Sequence, residues 1–217
     1  MQYRSFLFDL DGTLSDPQVG IITSMQYALE SFGIKEEFDQ LKKYIGPPLT
    51  EMMGDYLPKD QIGAGIAKYR ERFSVKGLFE NEMYPGISRM LKNLAAAGGG
   101  VYLATSKPED YARRILSYFH IDGYFQDICG STMDGSVSRK ADVLRLAVQR
   151  NGLDPAACVM VGDRIHDMEG AAACNMDRVG VLFGFGSRAE LERGGPVYIA
   201  PTVESLEEWL LSHLEPR

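Results

Sequence analysis

Two aspartates one residue apart, Asp9 and Asp11, close the short apolar run Phe6-Leu7-Phe8 and lead into Gly12-Thr13. Residues two apart in an extended chain project to the same side, so one carboxylate can attack an electrophile while the other manages a proton. Carboxylate nucleophiles form aspartyl-phosphate intermediates. The partner acid would protonate the leaving oxygen and then activate water, as general acid and then general base. Three more sets of reactive types follow: Thr105-Ser106-Lys107 after Val101-Tyr102-Leu103-Ala104, Lys140 at the head of a helical pattern, and Asp163 with Asp167 after Cys158-Val159-Met160-Val161.

Each set has an alternative structural use. Asp-x-Asp-Gly is also turn chemistry, and Thr105-Ser106 ahead of Lys107-Pro108 suits a helix N-cap with proline at the first helical position. Lys140 can be a solvated lysine, and Asp167 can cap the helix that runs to Cys174. His166 fits the start of that helix better than a metal site, because no second histidine lies near. Cys158 and Cys174 suit small packing positions.

The elements that must place these residues follow from periodicity. Phe6–Phe8, Val101–Ala104, a weaker run from Phe125 to Cys129, Cys158–Val161 and Arg178–Phe183 carry strand patterns. Helical stripes lie between them: Ile87, Met90, Leu91 and Leu94; Tyr111, Ile115 and Phe119; Val143, Leu144, Ala147 and Val148. A final strand and a helix with Val203, Leu206 and Leu210 close the chain. This alternation predicts an α/β fold, a doubly wound parallel sheet with right-handed crossovers. The alternation is interrupted once. Ile21, Ile22, Met25, Leu29 and Phe32, then Ile62, Ile66, Tyr69 and Phe73, give helices alone, separated by Gly46-Pro47-Pro48. The expected organisation is a core of residues 1–15 and 81–217 with a helical insertion over 16–80.

Open parallel sheets bind ligands beyond the carboxyl ends of their strands, and every reactive set sits at such an end or opens a helix beside one. Four carboxylates on one rim are costly, about 4 kcal/mol for each like pair at 4 Å and an effective dielectric of 20. A cation answers that cost. Oxygen donors with neither histidine nor cysteine favour a hard ion, Mg²⁺ first. An anionic substrate would then draw donors from Thr105, Ser106, the backbone after Asp9 and helix N-termini.

Composition narrows the partners. The 217 residues carry 30 Asp+Glu against 23 Lys+Arg, a net charge of −7. That balance argues against nucleic acid or an anionic membrane as the main partner. Three cysteines without CxxC spacing argue against a disulfide framework or a cysteine zinc site. The carboxylates among the first eleven residues argue against a signal peptide or membrane span there, which gives a cytoplasmic expectation.

With its motifs in order, the sequence resembles the haloacid dehalogenase-like hydrolases. Asp9-Leu10-Asp11-Gly12-Thr13-Leu14-Ser15-Asp16 resembles the first family motif, Thr105-Ser106 the second, Lys140 the third and Gly162-Asp163-Arg164-Ile165-His166-Asp167 the fourth, over essentially the whole chain. The resemblance implies a Rossmann-like core with a helical cap. It implies Asp9 as nucleophile, Asp11 as acid/base, Thr105 or Ser106 holding the phosphoryl group and Lys140 stabilising charge. Mg²⁺ would be held by Asp9, the Asp11 carbonyl and Asp163, with Asp167 supporting from outside. Dehalogenase members lack the second aspartate, so Asp11 favours phosphoryl transfer.

Within the family the sequence is similar to phosphoglycolate phosphatases. Gly77-Leu78-Phe79-Glu80-Asn81 before Tyr84-Pro85-Gly86, with Thr105-Ser106-Lys107-Pro108, is similar to a branch described as 5′-nucleotidases; many phosphoglycolate phosphatases carry Thr-Asn-Lys where this chain has Thr-Ser-Lys. The implied activity is Mg²⁺-dependent hydrolysis of a small phosphorylated metabolite, by a monomer or homodimer. A β-phosphoglucomutase-like phosphomutase and a catalytically idle binding protein are the alternatives. Substrate contacts are expected from Gly12, Thr105, Ser106, Lys140 and Lys107. From the insertion, expected to close over the substrate, Tyr44, Gly46, Pro47 and Lys76 are the candidates.

Overall fold

The computed structural model describes residues 2–46 and 48–215; Pro47, one of the expected substrate contacts, lies outside them. The first strand, Ser5–Phe8 (β1), is followed by a tight turn and the short strand Ser15–Asp16 (β2). Four helices come next: Gln18–Glu30 (α1), Phe38–Leu41 (α2), Leu49–Tyr56 (α3) and Ile62–Arg72 (α4). A π-helical turn over Phe73–Gly77 then precedes the short strand Glu82–Met83 (β3). Helices and strands alternate thereafter through Ile87–Ala96 (α5), Gly100–Pro108 (β4), Glu109–Tyr118 (α6), Asp127–Ser131 (β5), Lys140–Asn151 (α7) and Cys158–Gly162 (β6). The chain ends with Ile165–Ala172 (α8), Asp177–Val181 (β7), Arg188–Arg193 (α9), Tyr198–Ala200 (β8) and Val203–Ser212 (α10). Contacts divide it into two units, Met1–Asp16 with Met83–Arg217, and Pro17–Glu82.

The larger unit is the expected α/β fold. Its sheet has six strands in the order β5-β4-β1-β6-β7-β8, every neighbouring pair parallel. Helices cover both faces, so the strands are near-continuous apolar runs: Phe6, Leu7 and Phe8 are fully buried, as are Val159, Met160 and Val161. Side chains alternate between faces, and Leu7, Tyr102, Ala104 and Met160 meet Val143, Leu144 and Ala147 of α7 and Ala171 of α8. Cys129, Cys158 and Cys174 belong to that same core, each with a free thiol. From β1 the chain proceeds outward to β4 and β5, then returns to the other side of β1 as β6 and continues outward to β7 and β8. The connections after β1 and β6 therefore run in opposite directions. Between such neighbours a crevice opens at the carboxyl ends.

The smaller unit is helical. Its α1 buries Ile21, Ile22, Met25, Ala28 and Leu29 on one face, and Tyr69 stacks on Phe73 with ring centroids 5.0 Å apart. Arg72 forks onto Glu80 across the π-helical turn, with N–O distances of 2.7 and 2.8 Å. Among the described residues no helix is long and apolar enough to cross a membrane.

Two local expectations change. β4 does not stop at Ala104 but continues irregularly to Pro108, so Thr105, Ser106 and Lys107 are strand residues. α6 starts at Glu109 with Pro108 as its extended N-cap residue and no side-chain cap. Neither Thr105 nor Ser106 therefore caps that helix, and Pro108 precedes its first position; a proline also disfavours helix in the residue before it.

Candidate active site

Asp9 is the first residue past β1, and its N–H donates to the Val161 carbonyl of β6 at 2.9 Å. Asp163 is the first residue past β6 and is fully buried. The two carboxylates thus flank the crevice between β1 and β6. Asp167 lies at the third position of α8, where its Oδ2 accepts the Arg164 N–H at 3.1 Å. The helix-cap reading of Asp167 is thus right as far as it goes, and its other oxygen serves the crevice. Ligand oxygens of Asp9, Asp163 and Asp167 all lie within 4.8 Å of one another.

Lys140 is the first residue of α7, and its side chain is only 4% exposed. Its ammonium lies 2.9 Å from Asp9 Oδ1 and 2.8 Å from Asp167 Oδ1, and donates to the Ala104 carbonyl at 3.0 Å. Burial by itself would lower its pKa; the charges of Asp167 and Asp9 outweigh that and carry it upward. This lysine is a fixed cation, not a solvated one.

One lysine does not balance the carboxylates. Burial pushes the Asp163 carboxyl well above the usual range, Asp167 and Asp9 add to the push, and the Phe185 N–H at 2.8 Å opposes it. Asp167 is raised as well, by burial first and Asp9 after it, against the opposing pull of Lys140. Oδ1 of Asp9 and Oδ1 of Asp167 are buried and share the single Lys140 ammonium between them. Buried polar atoms are normally satisfied. An all-oxygen cluster of three carboxylates served by one lysine keeps surplus negative charge, which fits a hard divalent cation.

Asp11 stands apart from that cluster. Its Oδ2 receives Lys107 Nζ, and its Oδ1 is buried without a hydrogen-bond partner. Burial raises its pKa, Lys107 pulls the other way, and the net direction is upward. A carboxyl held toward its protonated form suits a proton donor.

The neighbouring positions sort as follows. Thr105 is buried and its Oγ1 accepts the Lys107 N–H at 3.2 Å, while Ser106 is exposed. Gly12 has φ +82°, and a Cβ there would stand 2.2 Å from Asp163 Oδ2. Its N–H donates to the Ser15 carbonyl at 2.8 Å, so its contribution to the site is room for Asp163. In the helical unit, Tyr44 is buried and donates to Asp55 Oδ2 at 2.6 Å, whereas Gly46 and Lys76 are exposed. His166 is exposed on α8. The Phe185 N–H and the Ala104 carbonyl escaped sequence reasoning, because a backbone group carries no residue signal. Thr13, whose Oγ1 lies 3.5 Å from Asp163 Oδ1, was visible only as part of the Asp9–Asp16 motif.

A family model described as haloacid dehalogenase-like hydrolase matches residues 6–181. A 5′-nucleotidase of Pseudomonas aeruginosa is 40% identical over 216 residues, covering 98% of each chain. The tyrosine-protein kinase PtkA of Mycobacterium tuberculosis is 38% identical over 207 residues, 94% of this chain and 71% of that protein. The crystal structure of a predicted phosphatase from Clostridium acetobutylicum superposes with a TM-score of 0.92 at 39% identity, covering 98% of this chain and all of the other.

Proposed function

The chain belongs to the haloacid dehalogenase-like hydrolases and is a phosphoric monoester hydrolase, and from that premise we propose that it works in two in-line steps through a phosphorylated Asp9. In the first step an Asp9 oxygen bonds to phosphorus, the ester P–O bond breaks, and Asp11 gives its proton to the departing alcohol. In the second, Asp11 takes a proton from water, the water oxygen bonds to phosphorus, and the acyl-phosphate P–O bond breaks to release phosphate and Asp9. The observation that carries this reading is the pairing of roles on one loop: Asp9 is held by Lys140 beside the carboxylate cluster, and Asp11 presents a buried oxygen with no partner.

Lys140 supplies a fixed positive charge at Asp9, and Thr105 is the hydroxyl we assign to the transferring group. Positioning and charge neutralisation supply most of phosphoryl-transfer catalysis. The cation proposed is Mg²⁺, which Asp9, Asp163 and the Asp11 carbonyl would hold with Asp167 in support, and which would neutralise charge on the transferring group.

Similarity to the P. aeruginosa 5′-nucleotidase, together with Thr105-Ser106-Lys107, supports a nucleoside 5′-monophosphate as the first substrate to try. Phosphoglycolate and sugar phosphates come next. Phosphate release from this panel with Mg²⁺, by the wild-type chain and by Asp9→Asn, tests the proposal. Hydrolysis lost in Asp9→Asn supports it, and near wild-type turnover by that variant overturns it. Similarity to PtkA favours one second reading, in which the phosphoryl group on Asp9 passes to an acceptor hydroxyl instead of water. A phosphorylated acceptor formed in place of free phosphate would select it.

A further inference from the structure

The irregular end of β4 has a purpose that the reaction alone does not assign. Pairing with β5 is regular to Ala104 opposite Cys129 and resumes with Pro108 opposite Ser131. Four steps along β4 thus match two along β5, a bulge of the kind that re-aims side chains beside active sites. Within it Thr105 turns inward, Ser106 outward and Lys107 inward again, with the Thr105 hydroxyl bonded to the Lys107 N–H. The bulge is locked from the β5 side. A Cβ on Gly130 would stand 2.7 Å from the Lys107 carbonyl oxygen and 2.6 Å from the Glu109 nitrogen, so only glycine admits this approach. Glu109 is held in turn by Arg113 at 2.8 Å and Arg150 at 3.2 Å.

The outcome is a lysine whose side chain is 5% exposed, delivered to Asp11 Oδ2 at 2.5 Å. Burying an ammonium is expensive, and ordering a long side chain costs rotamer freedom. Asp11 has a specific need for it. The terminal torsion of an aspartate is broad, so a carboxyl with both oxygens unbound would sample many orientations. With Oδ2 held by Lys107, the buried Oδ1 is the oxygen left without a hydrogen-bond partner.

We propose that Lys107 is a positioning residue: it holds one oxygen of Asp11 so that the other is aimed at the leaving group. This assignment rests on the acid/base role of Asp11 proposed above and adds to it the reason that role is geometrically defined.

The test is sensitivity to the leaving group. An alkyl phosphate such as β-glycerol phosphate needs its departing oxygen protonated, whereas p-nitrophenyl phosphate departs with little help. We expect Asp11→Asn to lower kcat/KM for β-glycerol phosphate by about 10²- to 10⁴-fold, with a far smaller loss on p-nitrophenyl phosphate. Lys107→Met should show the same discrimination at about 10- to 100-fold. The double variant should be no worse than Asp11→Asn alone, because both changes remove the same function. Equal losses on both substrates in Lys107→Met, or losses that multiply in the double variant, would overturn the assignment. If Asp11→Asn itself fails to discriminate, the acid/base role falls first and this assignment with it. Should Lys107→Met fail to fold, Lys107→Gln, which keeps a neutral donor, carries the comparison.

Discussion

Replacing Asp163 by asparagine separates the electrostatics of the site from its packing. Asp163 is fully buried, and its carboxylate shares a space within 4.8 Å with those of Asp9 and Asp167. At that distance and an effective dielectric of 20, each like-charge pair costs about 3 kcal/mol. Lys140 offsets part of this, but its contacts are to Asp9 and Asp167. Asparagine is nearly the same shape, its oxygen can keep the Phe185 N–H, and both repulsions disappear. Partial protonation already relieves the wild-type site, so the net gain should be about 1 to 3 kcal/mol. For a chain of this length that is a rise in Tm of about 2 to 4 °C per kcal/mol in the presence of a chelator. Mg²⁺ should reverse the order: the wild type gains about 2.7 kcal/mol at a hundredfold excess over its Kd, and Asp163→Asn gains little.

The pH dependence has a defined sign. Asp163 and Asp167 are raised above their unfolded values, so their contribution is fully present below the ordinary carboxylate pKa and is lost as pH rises through the raised folded values. The metal-free wild type should therefore gain stability on mild acidification from neutral pH, with a shallower slope in Asp163→Asn. Thermal melts with chelator and with Mg²⁺ across that range make the measurement. A metal-free variant that melts below the wild type, yet still gains stability from Mg²⁺, would mean that Asp163 is neither a source of repulsion nor a metal ligand.

Lys140→Met should cost at least about 10²-fold in kcat and, by leaving buried carboxylates unpaired, about 3 to 5 kcal/mol of stability; steady-state kinetics and a thermal melt measure both. Gly12→Ala places a Cβ 2.2 Å from Asp163 Oδ2 at φ +82°, which adds a left-handed cost of about 1 to 2 kcal/mol to the collision. Its Mg²⁺-induced rise in Tm should vanish. Lys76→Ala should change the ratio of rates between substrates with charged and uncharged leaving groups, and an unchanged ratio removes Lys76 from the specificity set.

The rim was legible because apolar strands announce their own ends: Phe6–Phe8 stops at Asp9 and Cys158–Val161 stops just before Asp163. The parallel order of those strands then brought the two carboxylates together. Periodicity put Lys140 at the head of a helix beside the rim, but its burial against Asp9 was implied only by the family motif, since a lysine opening a helix carries no mark of burial. The contact of Lys107 with Asp11 was not legible at all. It depends on the bulge in β4, which arises from pairing with β5 and the close approach of Gly130, neither a local property of Thr105-Ser106-Lys107. The π-helical turn after Arg72 is likewise a product of packing, bridged by the Arg72–Glu80 fork. The helical stripe through Phe73 continues without any break that would mark it.

As the nucleophile, Asp9 should carry the phosphoryl group during turnover. Acid-quenching the chain during turnover of a phosphate-labelled substrate, followed by peptide mapping, examines this directly. Label is expected on the peptide containing Asp9, released by hydroxylamine as an acyl phosphate and absent in Asp9→Asn. Full hydrolytic turnover with no label on that peptide, or label that persists in Asp9→Asn, would contradict Asp9 as the nucleophile.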